Sequence, residues 1–336
     1  MTDHQVFEVP EFELQSGVTL PVARLAYATH GTLAPDRGNV VLYPTRYSGR
    51  HEDNEFLIAE GMALDPRRYF IVVPNLLGNG VSSSPSNTPD PVGRAAFPNV
   101  TIFDNVLLQH RLVVEELGVE RIALAMGWSM GGQQAYHWAA LFPDLVERLA
   151  PICGSARTSP HNFVFLEGMK AALTADAAWA DGWYEDPPAV GLRAMGRAWA
   201  GWALSQTWYR DAGYREMGYD SVDDFLTDYW EALFLSRDAN NLLALLWTWQ
   251  HADLSENDVY QGDFERALGA ITAKAIVMPG ETDLYFPPED SAYEVAHMPN
   301  AELRPIPSIW GHYAGGGRDA AATRFIDSAL AELLGC

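Results

Sequence analysis

One serine in this chain is set among glycines, in Gly127-Trp128-Ser129-Met130-Gly131. A serine hydroxyl attacks a carbonyl well only when a base takes its proton and a carboxylate orients that base. The G-x-S-x-G spacing suits this chemistry. Its glycines permit a strained turn and let the following helix pass close by. Such a turn holds the serine Oγ clear of a sheet edge. It also aims the Met130 N–H at a helix start, where positive partial charge gathers. The chemistry implied is acyl transfer from an ester or thioester.

The base and the carboxylate must come from elsewhere in the chain. Where a strand, a sharp turn and a helix carry the serine, the expected order is Ser, then Asp or Glu, then His. Asp283 follows an apolar run ending at Pro279, and His312 follows one ending near Pro307. Glu281 is the nearest rival to Asp283. Of the nine histidines, His312 alone combines a post-strand place with a preceding glycine, Gly311. An oxyanion hole needs a second N–H besides that of Met130. Thr45, in the loop after the third strand, is the first choice and Arg46 the second. The side chains of Arg46 and Arg50 form a basic pair near the same edge, suited to a substrate carboxylate or phosphate.

The elements that must position these groups read as an α/β pattern. Val6 to Leu14 and Leu20 to Thr29 form an antiparallel pair, with Pro10 on an edge. Short apolar runs at Asn39–Pro44, Tyr69–Pro74, Arg121–Met126 and Leu149–Cys153 are buried strands. Helices are expected at Phe56–Ala63, Thr101–Leu117 and Gln133–Leu141. The stretch 75–99 is a long polar loop of the kind that is often functional. Strands and helices resume at Ala273–Pro279, Ser291–Ala296, Ala301–Ile306 and Asp319–Leu334. Alternation of this kind predicts a mainly parallel central sheet flanked by helices. Between residues 156 and 268 strand-like runs vanish. Eight of the eleven tryptophans fall there. The stretch reads as an inserted helical cap on a core of residues 1–155 and 269–336. Most of its tryptophans are expected to pack between cap helices, with one or two facing the site.

Composition narrows the function. Of 336 residues, 48% are hydrophobic and 20% charged, enough apolar material for a large core. The net charge of −22 disfavours nucleic acid and anionic membranes as partners. Cys153 and Cys336 are the two cysteines, too few for a disulfide framework. No metal-ligand spacing is seen, so neither a metal nor a bound cofactor is expected. The start at Met1 lacks the basic and apolar regions of a secretory signal, so a cytoplasmic location is the expectation.

Several segments together resemble the homoserine O-acetyltransferase family of the α/β-hydrolase superfamily. They are Val73–Ser83, Phe97–Asp104 with Gln109, Ser129-Met-Gly-Gly132, Arg237-Asp-Ala-Asn240, Asp283–Pro288 and Gly311-His312. The resemblance implies the α/β-hydrolase fold, Ser129, Asp283 and His312 as a triad, and an acyl-enzyme. It further implies acetyl-CoA as co-substrate and a homodimer joined through cap helices. Trp128 stands where that family usually has a second glycine, so a bulky ring abuts the nucleophile and the substrate. The loop Tyr43–Gly49 departs from the family's usual L-T-G type. The mid-cap basic stretch reads Ser205–Arg210, leaving Arg46 and Arg210 as candidates to hold an acceptor carboxylate. The function expected is acyl transfer to a small hydroxylated acceptor. The alternative is an esterase, thioesterase or amidase using water, and a remote one is a non-catalytic binding protein on this scaffold.

Overall fold

The computed structural model describes residues 4–336; the first three residues of the segment read for a secretory signal lie outside it. Its strands are β1 (Gln5–Glu13), β2 (Thr19–His30), β3 (Val40–Leu42), β4 (Phe70–Pro74), β5 (Ile122–Trp128), β6 (Arg148–Ile152), β7 (Lys274–Val277) and β8 (Ala301–Leu303). They form one sheet in the order β1-β2-β4-β3-β5-β6-β7-β8. β1 and β2 pair antiparallel at one edge, with Pro10 opposite Val22. Proline has no N–H to donate, which an edge strand can spare. From β4 to β8 every neighbouring pair is parallel.

Side-chain alternation explains why both faces are covered. In β5, Leu124, Met126 and Trp128 join one apolar cluster while Ala125 joins the other; Ile122 joins Ala125's cluster across a register shift between Val40 and Val41. Helices α1 (Ile102–His110) and α2 (Met130–Leu141) lie in the first half of the chain. Thr101 caps α1, accepting from the Asp104 N–H while Asp104 reaches back to Thr101. The helix expected over Phe56–Ala63 is instead one short turn at His51–Leu57. The Asp53 carboxylate accepts from the Arg50 N–H at 2.9 Å, which starts the turn early. Ile58, extended at φ −107° and ψ 94°, ends it.

Between β6 and β7 every named element is helical. The longest are α3 (Pro160–Thr174), α4 (Ala189–Ala203) and α5 (Ala239–Gln250). Ser159 and Asp238 cap α3 and α5 through their side-chain oxygens. The helical segment is tied to the sheet layer at several points. Tyr47 donates to the Leu242 carbonyl at 3.0 Å, and Thr248 to that of Val100 at 2.7 Å. Ser205 donates to the carbonyl of Ile309. Helices α6 (Pro288–Ala296) and α7 (Ala320–Leu334) complete the chain. Among the described residues no helix is long and apolar enough to cross a membrane. Cys153 and Cys336 are both free thiols.

Candidate active site

β5 is buried throughout and ends at Trp128, and α2 begins at Met130. Ser129 alone makes the turn, at φ 60° and ψ −125°. That backbone conformation costs a non-glycine residue about 1–3 kcal/mol and persists only where the surroundings enforce it. They do so here. A Cβ on Gly127 would lie 2.2 Å from the Gly131 backbone, and one on Gly131 would lie 2.6 Å from the Pro44 carbonyl. Strand, helix and the β3 loop therefore meet at distances that only glycine allows.

His312 sits on a short helical turn, Gly311–Gly315, beyond β8. Its Nδ1 is 2.8 Å from Asp283 Oδ2. An ionised carboxylate only accepts hydrogen bonds, so Nδ1 carries the proton and Nε2 is left as the basic nitrogen. Asp283 Oδ1 accepts from the Tyr285 and Phe286 N–H groups at 2.8 and 3.3 Å. The carboxylate is held by three donors and cannot swing. Asp283, His312 and Ser129 are all buried. Cys153 lies close behind; burial first, then the Asp283 carboxylate, pushes its thiol well up, so it stays protonated.

Ser129 and His312 face one cavity with a free volume of about 50 Å³. Its walls include Tyr47, Trp199, Trp230, Phe234, Trp249 and Tyr285. Three tryptophans of the helical segment between β6 and β7 thus reach the site, one more than the sequence suggested, while Trp208 is buried away from it. Trp128 and Arg46 line the same cavity, with the Arg46 guanidinium 5.0 Å from the Trp128 ring centre.

The remaining candidates divide. Met130 is the first residue of α2, so its N–H has no partner within the helix. Thr45 does not fit as the second oxyanion donor. Its N–H donates to the Pro74 carbonyl at 3.1 Å, continuing the parallel ladder three residues past the end of β3. The chain leaves the sheet at the next residue, and among the described residues the Arg46 N–H has no protein acceptor. Of the two choices it is therefore the Arg46 N–H that is left free to donate. Thr45 instead anchors the loop: its carbonyl accepts from Gln134 Nε2 at 2.9 Å and its Oγ1 from the Leu76 N–H at 3.1 Å. Arg50 is exposed and lines a neighbouring cavity rather than this one. Arg210 is exposed on a short helix, Gln206–Arg210, and is absent from the cavity wall. The arginine that does line it is Arg237, just before the cap of α5.

The chain matches the family model described as alpha/beta hydrolase fold over residues 40–316. It is 40% identical to an ethyl acetate hydrolase of Pseudomonas veronii over 333 residues, covering 98% of this chain and 95% of that one. A homoserine O-acetyltransferase of Trichormus variabilis is 33% identical, over 93% of this chain and 89% of its own. Among solved structures, the acetyl esterase MekB superposes with a TM-score of 0.97 at 40% identity, covering 99% of this chain and 97% of that chain. The likeness to acetyltransferases is therefore present but weaker than that to esterases. With its strained serine turn and Asp-braced histidine on this sheet, the chain belongs to the α/β-hydrolase family and is an enzyme of that fold.

Proposed function

We propose that the protein is a serine esterase that hydrolyses short-chain esters of small alcohols, with water as the acyl acceptor. The observation that carries this reading is the shared cavity. Ser129 and the Asp283-braced His312 open onto about 50 Å³ of mostly apolar space. A single water needs roughly 10–15 Å³ by the same measure. The space is sized for an acetyl group and a small alcohol rather than for a fatty chain or a whole cofactor. Similarity to an ethyl acetate hydrolase at 40% identity agrees with that size.

In this reading His312 Nε2 takes the Ser129 hydroxyl proton as Oγ attacks the ester carbonyl carbon. The tetrahedral oxyanion is held by the N–H groups of Met130 and Arg46. Each such donor is worth about 10²–10³ in rate. As the tetrahedral species collapses, the C–O bond to the alcohol breaks and His312 returns the proton to the leaving oxygen. Water then attacks the acyl-Ser129 carbonyl, with His312 again as base. Ser129 leaves reprotonated and the carboxylic acid is released. Asp283 keeps the imidazole in the required tautomer and stabilises the imidazolium.

The test is steady-state hydrolysis of ethyl acetate and of a p-nitrophenyl ester series from acetate to octanoate, without any added acceptor. Acetate esters should be cleaved fastest. A second reading, acetyl transfer from acetyl-CoA to a small hydroxylated acceptor, is favoured by the aromatic walls, which exclude water from an acyl-enzyme, and by the acetyltransferase relative. Acetyl-CoA cleavage that depends on added homoserine or serine, with ethyl acetate left intact, would replace the esterase reading by this one.

A further inference from the structure

Beside the catalytic cavity lies a second one of about 230 Å³, lined by Ser48, Arg50, Asn79, Ser236, Arg237 and Asn241 among others. Ser48, Arg237 and Leu242 belong to the walls of both. The first chamber is largely apolar; the second is more polar and carries two arginines, Arg50 and Arg237, against one carboxylate, Asp238.

Arg237 is the unusual member. It is half-buried, and among the described residues its guanidinium has no hydrogen-bond or ion-pair acceptor. Its Nε is fully buried and unpartnered, as is the Nε of Arg46. A guanidinium has five donors, and leaving a buried one unmet is costly. The nearby acids are already engaged. Asp53 accepts from the Arg46 side chain at 3.3 Å and the Arg50 N–H at 2.9 Å. Asp238 accepts from the Tyr184 hydroxyl at 2.6 Å and the Asn241 N–H at 2.9 Å. Burial, and next the charge of Arg50, push the Arg237 guanidinium below its usual range, with Asp53 opposing and Arg46 adding to the shift. In a chain of net charge −22, this is a local surplus of positive charge.

We infer that Arg237, with Arg46 and Arg50 around it, forms a carboxylate subsite that takes the acid product from Ser129 into the polar chamber. The inference rests on the esterase reading, since that reaction makes a small carboxylate within the apolar chamber. The planar fork of a guanidinium matches the two oxygens of a carboxylate. The arginines in the wall of the catalytic chamber are Arg46 and Arg237. Arg237 stands in the shared wall and supplies the first charge-assisted bonds on the way out.

The test titrates the full-length protein calorimetrically with sodium acetate and with acetamide, its uncharged isostere, at matched ionic strength. Acetate should bind about tenfold tighter, the difference expected of one charge-assisted pair. Arg237→Gln should erase that preference, and Arg237→Lys should retain part of it. Arg50→Gln, on an exposed side chain, should weaken acetate severalfold and leave acetamide alone; it keeps the test valid if changes at Arg237 disturb folding. Equal binding of acetate and acetamide, or a preference that survives both glutamine variants, overturns the subsite. Added acetate should also inhibit ethyl acetate hydrolysis competitively, and less so in Arg237→Gln. If acetate does not inhibit while the acetate ester of a 2-hydroxy acid is preferred to ethyl acetate, the anion rides on the substrate and the product assignment is overturned. Intact acetate binding without hydrolysis of either ester overturns the esterase reading alone.

Discussion

Trp128 donates its indole N–H to the carbonyl oxygen of His312 across 3.1 Å, and its ring centre lies 5.2 Å from that of the imidazole. The residue before Ser129 thereby props His312 from behind. A Cβ on Gly315 would come within 2.5 Å of the indole, so the histidine turn is fitted closely around this ring. Trp128→Phe keeps an aromatic ring and removes the N–H. The expected result is a fall in kcat of about fivefold, the worth of one hydrogen bond that orients a catalytic group, with KM changed less. Steady-state kinetics on a short-chain ester will separate the two. A rise in KM with kcat intact would assign Trp128 to substrate binding instead.

Ser129 at φ 60° and ψ −125° separates stability from activity. Ser129→Ala and Ser129→Gly both remove the nucleophile and should lower turnover by at least about 10³-fold. Alanine keeps the backbone strain and glycine relieves it. The glycine variant should be more stable than the alanine variant by about 1 kcal/mol. Thermal melts of the two proteins side by side will show it. Equal melting temperatures would mean that the turn carries no strain.

Glu294 on α6 is buried and clamps the start of the helical segment to the core. Its Oε2 accepts from the Tyr136 hydroxyl at 2.7 Å and its Oε1 from the Ala156 N–H at 2.6 Å. Burial pushes its carboxyl up to about 8 from the ordinary 4.5; the bonds from Tyr136 and Ala156 oppose that shift only in part. A folded-state value above the unfolded one means that the native protein holds the proton longer. The contribution to stability is therefore fully present below about pH 4.5 and lost progressively as pH rises through 8. Glu294→Gln should remove this component. Urea unfolding at pH 5, 6.5 and 8.5 should show a smaller decline in the variant than in the parent, and parallel declines would count against it.

Phe234 walls the cavity and packs on Trp199 with ring centres 5.3 Å apart. Phe234→Ala should move the preferred acyl chain from acetyl toward butyryl or hexanoyl. Each methylene accommodated is worth about 1–3 kcal/mol in relative kcat/KM. The cost is a loss of stability of roughly 3 kcal/mol. An unchanged acyl preference in a folded variant would show that the wall at Phe234 does not set chain length.

The serine turn was legible because its requirements are local. A strand, two close approaches and a helix start leave glycine at fixed offsets, and Gly127 and Gly131 are those glycines. Asp283 and His312 were legible through order and through their places after strands, which the parallel sheet turns into proximity. Thr45 was assigned one residue too early. Sequence marks where a strand is apolar, but not which N–H is the last to join the ladder, and here that N–H is Thr45's. The short helix at His51–Leu57 was displaced for a similar reason, since one carboxylate, Asp53, sets its start.

Residue types and spacing alone thus singled out Ser129, Asp283 and His312 and the α/β order of elements, because each depends on chain neighbours or on chain order. Tertiary structure decided what no spacing encodes. It brought Trp199, Trp230 and Trp249 over Ser129 and bound the Trp128 indole to the back of His312. It also left Arg237 facing the cavity and sent Arg210 elsewhere. Those choices turn on how the helical segment between β6 and β7 lies across the sheet. Packing between surfaces distant in sequence sets that placement, and no local pattern of residues carries it.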